Sequence, residues 1–270
     1  MKRLLLALCM CLFASVVWAQ GFAVGYEAYQ SGDYARAFRI WKPLADRADT
    51  SAQYNIGLMY ADGLGVPRND AEAVKWFRLA AKAGIAGAQA NLGFMYEAGL
   101  GVAPDASQAV SWYGKAAEKG DAFAQNSLGL MYDEGRGVEQ DDEVAVGLYR
   151  QSADQGLVEA QNNLGYMYEV GRGVPQDDIE SVKWYRRAAD QDFAAAQFNL
   201  ALKYDGGRGV PQDDTRAYMW YTIALTQLPV EQLETAVSLR NVVGERMAPD
   251  SIADADRLAK EWLKKRGRDQ

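Results

Sequence analysis

The sequence predicts an all-α chain of stacked helical hairpins, and two observations carry that prediction. The first is a fixed period: a glutamine recurs at Gln53, Gln89, Gln125, Gln161 and Gln197, each 36 residues after the last. Periods of roughly 20–50 residues mark units that bury their apolar faces only by stacking on one another. The second is helical spacing, met twice in each period. Ala160, Leu164, Met167 and Tyr168 fall at i, i+4, i+7 and i+8, and Ser181, Trp184, Tyr185, Ala188 and Ala189 make a second stripe. Such spacing gathers apolar residues on one face of a helix.

In chain order, residues 1–19 read as a secretory leader. Lys2 and Arg3 open it, Leu4 to Val17 form an apolar run, and Val17-Trp18-Ala19 offers a small-residue cleavage site. The run is shorter than the roughly 20 residues a spanning helix needs. Leu8 and Met10 stand before Cys9 and Cys11, where a lipid-attachment signal requires a small residue. Cleavage would start the mature chain at Gln20 and remove both cysteines. Losing the two basic residues Lys2 and Arg3 takes the net charge from −7 to −9. An acidic surface repels nucleic acid and anionic lipid, which excludes both as expected partners.

Residues 20–51 read as a divergent N-terminal capping hairpin, with Ser31-Gly32-Asp33 as its turn and Ala37 lying 36 residues before Ala73. Terminal repeats are atypical because one of their faces meets water. Residues 52–231 then divide into five copies: 52–87, 88–123, 124–159, 160–195 and 196–231. In each, a Gly-x-Gly-Val segment opening at Gly63, Gly99, Gly135, Gly171 or Gly207 joins the two helices. A glycine just past a helix end takes the left-handed conformation that stops it. Asn69, Asp105, Asp141, Asp177 and Asp213 follow as expected caps of the second helix, and Glu72, Gln108 and Glu180 add the pattern of a capping box. Gly57, Gly93, Gly129 and Gly165 sit mid-helix, with Ala201 in the fifth copy. Glycine there costs about 1 kcal/mol relative to alanine; its return predicts two helix backbones in close approach. Past copy five, one non-repeating helix from Pro229 to about Met247 and another from Pro249 form a C-terminal cap within 232–270.

The pattern A-Q-x-N-L-G-x-M-Y-x-x-G-x-G-V at Ala160 to Val174, followed by W-Y-x-x-A-A at Trp184 to Ala189, resembles the Sel1-like repeat, a relative of the tetratricopeptide repeat. The resemblance covers Ala52 to about Glu231 in five copies. It departs from the pattern at Leu148, Lys203 and Asp192, and from disulfide-rich secreted members in its cysteines. It implies a right-handed α-solenoid of antiparallel helix pairs that binds other proteins. In tetratricopeptide arrays the first helix of each pair lines a concave groove. The matching positions are Tyr54, Asn126, Asn162 and Phe198; Asn55, Asn91, Asn163 and Asn199; and Leu58, Phe94, Leu130, Tyr166 and Leu202. Asparagine amides beside apolar groups suit an extended peptide, bonding its backbone and taking its side chains; packing of the asparagines between repeats is the competing reading. Glu97, Asp133 and Glu169, with Ala61 and Asp205, form a further row. That row either draws a basic segment into the groove or simply faces water.

No catalytic residue, metal site or cofactor is expected. The sequence has no histidine, so nucleophile–histidine arrangements are excluded. With the leader removed it has no cysteine either, leaving no nitrogen or sulfur ligand for zinc. The Gly-Arg-Gly turns lack the lysine and hydroxyl residue of a phosphate-binding loop. Paired carboxylates at Asp133-Glu134, Asp141-Asp142, Asp177-Asp178 and Asp213-Asp214 leave carboxylate catalysis of glycoside cleavage as the alternative. The function expected is a non-enzymatic adaptor of the bacterial envelope, exported to the periplasm or beyond it. A peptidoglycan binder or carboxylate-based cell-wall hydrolase is the alternative.

Overall fold

The computed structural model describes residues 21–268, so the leader expected over residues 1–19, with Cys9 and Cys11, lies outside the described residues. Every regular element among the described residues is an α-helix. Two compact units follow one another, the first ending at Glu139 and the second beginning at Gln140.

The first unit opens with α1 (21–30) and α2 (Tyr34–Asp46), the capping hairpin. Gly32 turns between them at φ +80°, and the Asp33 carboxylate accepts from the Arg36 amide at 3.0 Å. Buried Trp41 holds the pair together, stacked on Phe22 with its indole N–H donating to the Phe22 carbonyl at 3.1 Å. Next come α3 (Thr50–Asp62), α4 (Asp70–Lys82), α5 (Ala86–Ala98), α6 (Ala106–Ala117) and α7 (Ala122–Glu134), each packed on the one before. The first helix of a copy starts two residues ahead of the boundaries at 52, 88 and 124. Asp49 and Asp121 set the starts of α3 and α7 by accepting from the amides of Ala52 and Ala124.

The second unit holds α8 (Asp142–Asp154), α9 (Val158–Val170), α10 (Asp178–Ala189), α11 (Ala194–Gly206) and α12 (Asp214–Ala224), again packed in sequence. Helices α13 (Val230–Glu245) and α14 (Pro249–Lys264) both pack on α12. Trp262 of α14 meets Trp220 of α12 edge to face at 5.7 Å. Consecutive helix pairs stacked in this way make each unit an α-solenoid fold.

Three local devices repeat. Gly63, Gly99, Gly135, Gly171 and Gly207 end the first helices at φ between 64° and 71°, as their positions predicted. Asn69, Asp105, Asp141, Asp177 and Asp213 cap the second helices, each accepting from the amide three residues on. The reciprocal half of the capping box is not needed. The cap amides of Asn69, Asp105, Asp177 and Asp213 donate instead to the carbonyls of Tyr60, Tyr96, Tyr168 and Tyr204, leaving Glu72 to accept from the Trp76 indole at 3.1 Å. Finally, each buried glutamine of the 36-residue register donates to a carbonyl eight residues back, Gln53 to Ala45, Gln89 to Ala81, Gln125 to Ala117, Gln161 to Ala153 and Gln197 to Ala189. A buried carbonyl at a helix end must find a donor; the glutamine supplies it and latches one hairpin to the next.

The mid-helix glycines make room for a ring, which corrects the expected approach of two backbones. A Cβ on Gly57 would lie 2.6 Å from the Phe77 ring, on Gly93 2.7 Å from Tyr113, and on Gly165 2.8 Å from Tyr185. At these three positions an added Cβ would meet the aromatic ring of the second helix closer than side chains normally approach.

Candidate functional site

The acids expected to line a groove are held by the chain itself. In the first unit Glu97 on α5 accepts from the Tyr113 hydroxyl of α6 and from Arg136, which follows α7, each at 2.7 Å; Arg136 also pairs with Glu134. In the second, Glu169 on α9 accepts from Tyr185 of α10 and Arg208 after α11 at the same 2.7 Å. Burial first, then the hydrogen bond to Glu97, pushes the Tyr113 phenol far above its usual range; burial and then the Glu169 charge do the same to Tyr185. The phenols are therefore fixed as neutral donors. A third variation closes the last repeat, where Arg246, just after α13, reaches Asp205 at 2.5 Å and Asp214 at 2.7 Å. Asp133 is half-buried and has interactions of its own.

One member of this network escaped the sequence reading. Lys203 stands where Met59, Met95, Met131 and Met167 stand in the other copies. It is fully buried and pairs with Glu169 at 3.1 Å and Asp178 at 2.5 Å. The signal was its departure from the repeat, a charge on a stripe of methionines.

Four of the expected asparagines bond within the fold. Asn199 donates to Asn162 at 3.0 Å across neighbouring first helices, Asn91 donates to the Gly87 carbonyl at 2.9 Å and lies 3.5 Å from the Tyr54 hydroxyl, and Asn55 donates within its own helix to Ser51. Asn126 is buried and Asn163 half-buried with interactions of its own. The apolar positions divide. Leu58, Leu130, Phe198 and Leu202 are half-buried, Phe198 with its ring 5.6 Å from Tyr221. Phe94 and Tyr166 remain 43% and 45% exposed. In the first unit Phe94 sits 6.5 Å from Phe123, itself 46% exposed. Phe123 was not among the expected groove residues; the copies on either side carry Gly87 and Glu159 at its position.

Between the first two copies the acid–tyrosine–arginine set is replaced as a whole. Ala61 stands for the acid, Phe77 for the tyrosine and Leu100 for the arginine, and all three line a cavity of about 210 Å³. Leu58, Phe94 and Met95 complete its apolar wall; Asp62, Asp70, Arg68 and Asn91 stand at its polar edge.

Three of the four carboxylate pairs are engaged within the fold. Asp141, Asp177 and Asp213 are helix caps, and their neighbours Asp142, Asp178 and Asp214 hold Arg172, Lys203 and Arg246. Among the described residues no group of three or more acidic, histidine or cysteine side chains is placed to hold a metal, and no helix is long and apolar enough to cross a membrane.

A family model described as Sel1 repeat matches residues 50–85, 86–121, 122–157, 158–193 and 194–227. The crystal structure of a Sel1 repeat protein from Oxalobacter formigenes superposes with a TM-score of 0.75 at 30% identity, over 92% of this chain and 100% of that one. A protective antigen of uropathogenic Escherichia coli displaying an SLR fold gives 0.74 at 31% identity, over 92% of this chain and 61% of the other. Shorter likenesses reach the DAP3-binding cell death enhancer 1 of Rattus norvegicus, 43% identical over 51 residues (19% of this chain, 10% of that protein). An exopolysaccharide production negative regulator of Rhizobium leguminosarum bv. viciae is 33% identical over 64 residues. The chain thus spans about a tenth and about a quarter of these two relatives.

Proposed function

The chain belongs to the Sel1 repeat family, and from that premise we propose that it is a non-enzymatic adaptor of the bacterial envelope, exported by its leader and holding a segment of a partner protein on its first helices. One observation carries the reading. Large aromatic side chains, Phe94 with Phe123 in one unit and Tyr166 in the other, stand in water on helices whose polar groups are largely satisfied within the fold. Exposed aromatics on a rigid face supply contact area at little entropic cost, which is why they concentrate at binding surfaces. The absence of histidine and the use of the paired acids as caps and cation holders support a role without turnover.

Export to the periplasm rests on the leader pattern of Lys2 to Ala19. The Rhizobium relative's part in exopolysaccharide production is in keeping with an envelope role. Photocrosslinking in cells tests the adaptor. A photoreactive residue at Tyr166 should give one discrete adduct, and the same group at Ile179, 61% exposed on the second helix α10, should not. Equal, diffuse labelling from both positions would defeat the reading.

A further inference from the structure

At the position of Leu100 the later copies carry arginines that bond to the chain's own acids. Arg172, two copies on from Leu100, donates to Asp142 through Nη2 at 2.6 Å and Nε at 3.2 Å. Asp142 is the first residue of α8, as Asp70 is the first residue of α4. Arg246 repeats the arrangement, its guanidinium shared between the first-helix acid Asp205 and Asp214, the first residue of α12. At the first junction Asp70 keeps its carboxylate, but Leu100 stands where the arginine should be. Asp70 is held instead by Arg68, two residues away, through Nε at 3.0 Å and Nη2 at 3.2 Å. The Arg68 side chain is 60% exposed, so it can swing into water when a second guanidinium takes its place on Asp70.

The rest of the cavity suits the stem of a long cation. Phe77, Leu58, Phe94 and Leu100 give it an apolar wall, and Asp62 adds an exposed carboxylate at the edge. Long basic side chains bury their methylenes while keeping their charged head among carboxylates and water. Burial, the largest cause, raises the Tyr54 hydroxyl above its usual value; the hydrogen bond with Asn91 lowers it and the charges of Asp121 and Asp62 raise it. A volume of about 210 Å³ exceeds the roughly 150 Å³ that holds a benzene ring in a protein interior.

The geometry points to this niche as the receptor for one arginine side chain of the partner segment, whose guanidinium displaces Arg68 from Asp70 and comes from the place that Leu100 leaves apolar. This rests on the adaptor reading and adds to it a side chain, an address and a charge. A guanidinium matches a carboxylate with two parallel hydrogen bonds, a pairing that a neutral isostere cannot make at full strength.

Met95 lies in the cavity wall, so its methyl group is the reporter. The full chain, labelled with methyl-¹³C methionine and assigned through Met95→Leu, is titrated with acetyl-Gly-Ser-Arg-Ser-Gly-amide and with the same peptide carrying citrulline. The arginine peptide should move the Met95 resonance saturably, and the citrulline peptide should bind roughly tenfold more weakly or less. Leu100→Arg places in the niche the residue found at Arg136, Arg172 and Arg208; it should fold normally by thermal unfolding and abolish the response. Equal binding of citrulline, a response that survives in Leu100→Arg, or no Met95 shift with the arginine peptide at millimolar concentration would each overturn the assignment. Any of these with a discrete adduct still formed at Tyr166 sinks the niche alone; loss of that adduct sinks the adaptor reading.

Discussion

Lys203→Met tests whether a fully buried ammonium stabilises this fold. Its pairs with Glu169 and Asp178 lie wholly within the second unit. Removing one partner of a buried ion pair costs about 3–5 kcal/mol when the other is left without compensation. Here the loss is smaller, because Glu169 keeps Arg208 and Tyr185, and Asp178 retains 29% of its side-chain exposure. Methionine also fits the site, since four other copies carry it there. A cost of about 2–3 kcal/mol follows, or a fall in Tm of about 4–12 °C for a chain of this size. The double variant Lys203→Met/Asp178→Ala copies the pairing of Met131 with Ala106 found in the first unit. It should regain most of the loss and give a coupling of about 1–2 kcal/mol in a double-mutant cycle. Circular dichroism at 222 nm against temperature and guanidinium reads both. A Lys203→Met protein as stable as the parent would refute the reasoning, showing that desolvation of the ammonium cancels what its two carboxylates return.

Gly93→Ala should cost about 1–3 kcal/mol, because its Cβ would sit 2.7 Å from a Tyr113 ring that the bond to Glu97 holds in place; a chevron or melting curve within error of the parent would remove the ring-contact account. The fifth copy shows what the alternative entails. Ala201 is present there, and the buried Tyr221 hydroxyl makes no hydrogen bond of normal geometry, although burial and then the charge of Asp205 raise it. The hydrogen bond from Arg172 is the largest influence holding the Asp142 carboxyl below its ordinary 3.8. A depressed folded pKa gives stability that is present above the unfolded value and lost as pH falls through the folded one. Between pH 5 and pH 2, by roughly the range in which such groups titrate, Arg172→Gln should therefore lose less stability than the parent in urea titrations; parallel losses would count against the pair.

The hairpins, their glycine ends and their carboxylate caps were legible because each is a local matter. Spacing sets the apolar face, and a cap acts across three residues, as Asp105 does on Gln108. What acts across a whole period was harder to see. Asn199 meets Asn162 at a separation of 37 residues, and nothing in a single copy distinguishes that contact from a ligand contact. The acids looked like groove lining for the same reason, since their tyrosine comes from the next helix and their arginine from the turn after the one beyond it. Yet the signal was in print: Ala61, Phe77 and Leu100 change together, whereas Glu97, Tyr113 and Arg136 stand together. The mid-helix glycines were read correctly as tight places, but a sequence names no neighbour, and the neighbour is a ring.

Each acid is completed by an arginine lying beyond the next pair of helices, Glu97 by Arg136 and Glu169 by Arg208. The portable block of this protein is therefore longer than its 36-letter period. An excision or graft cut at the end of Tyr113's helix carries off a carboxylate and phenol while abandoning their guanidinium. A cut just past a Gly-Arg-Gly turn is no safer, since at residues 171–173 it parts Glu169 from Tyr185 and Arg208; the sets overlap, and a transplanted piece must run from an acid to the arginine that closes it.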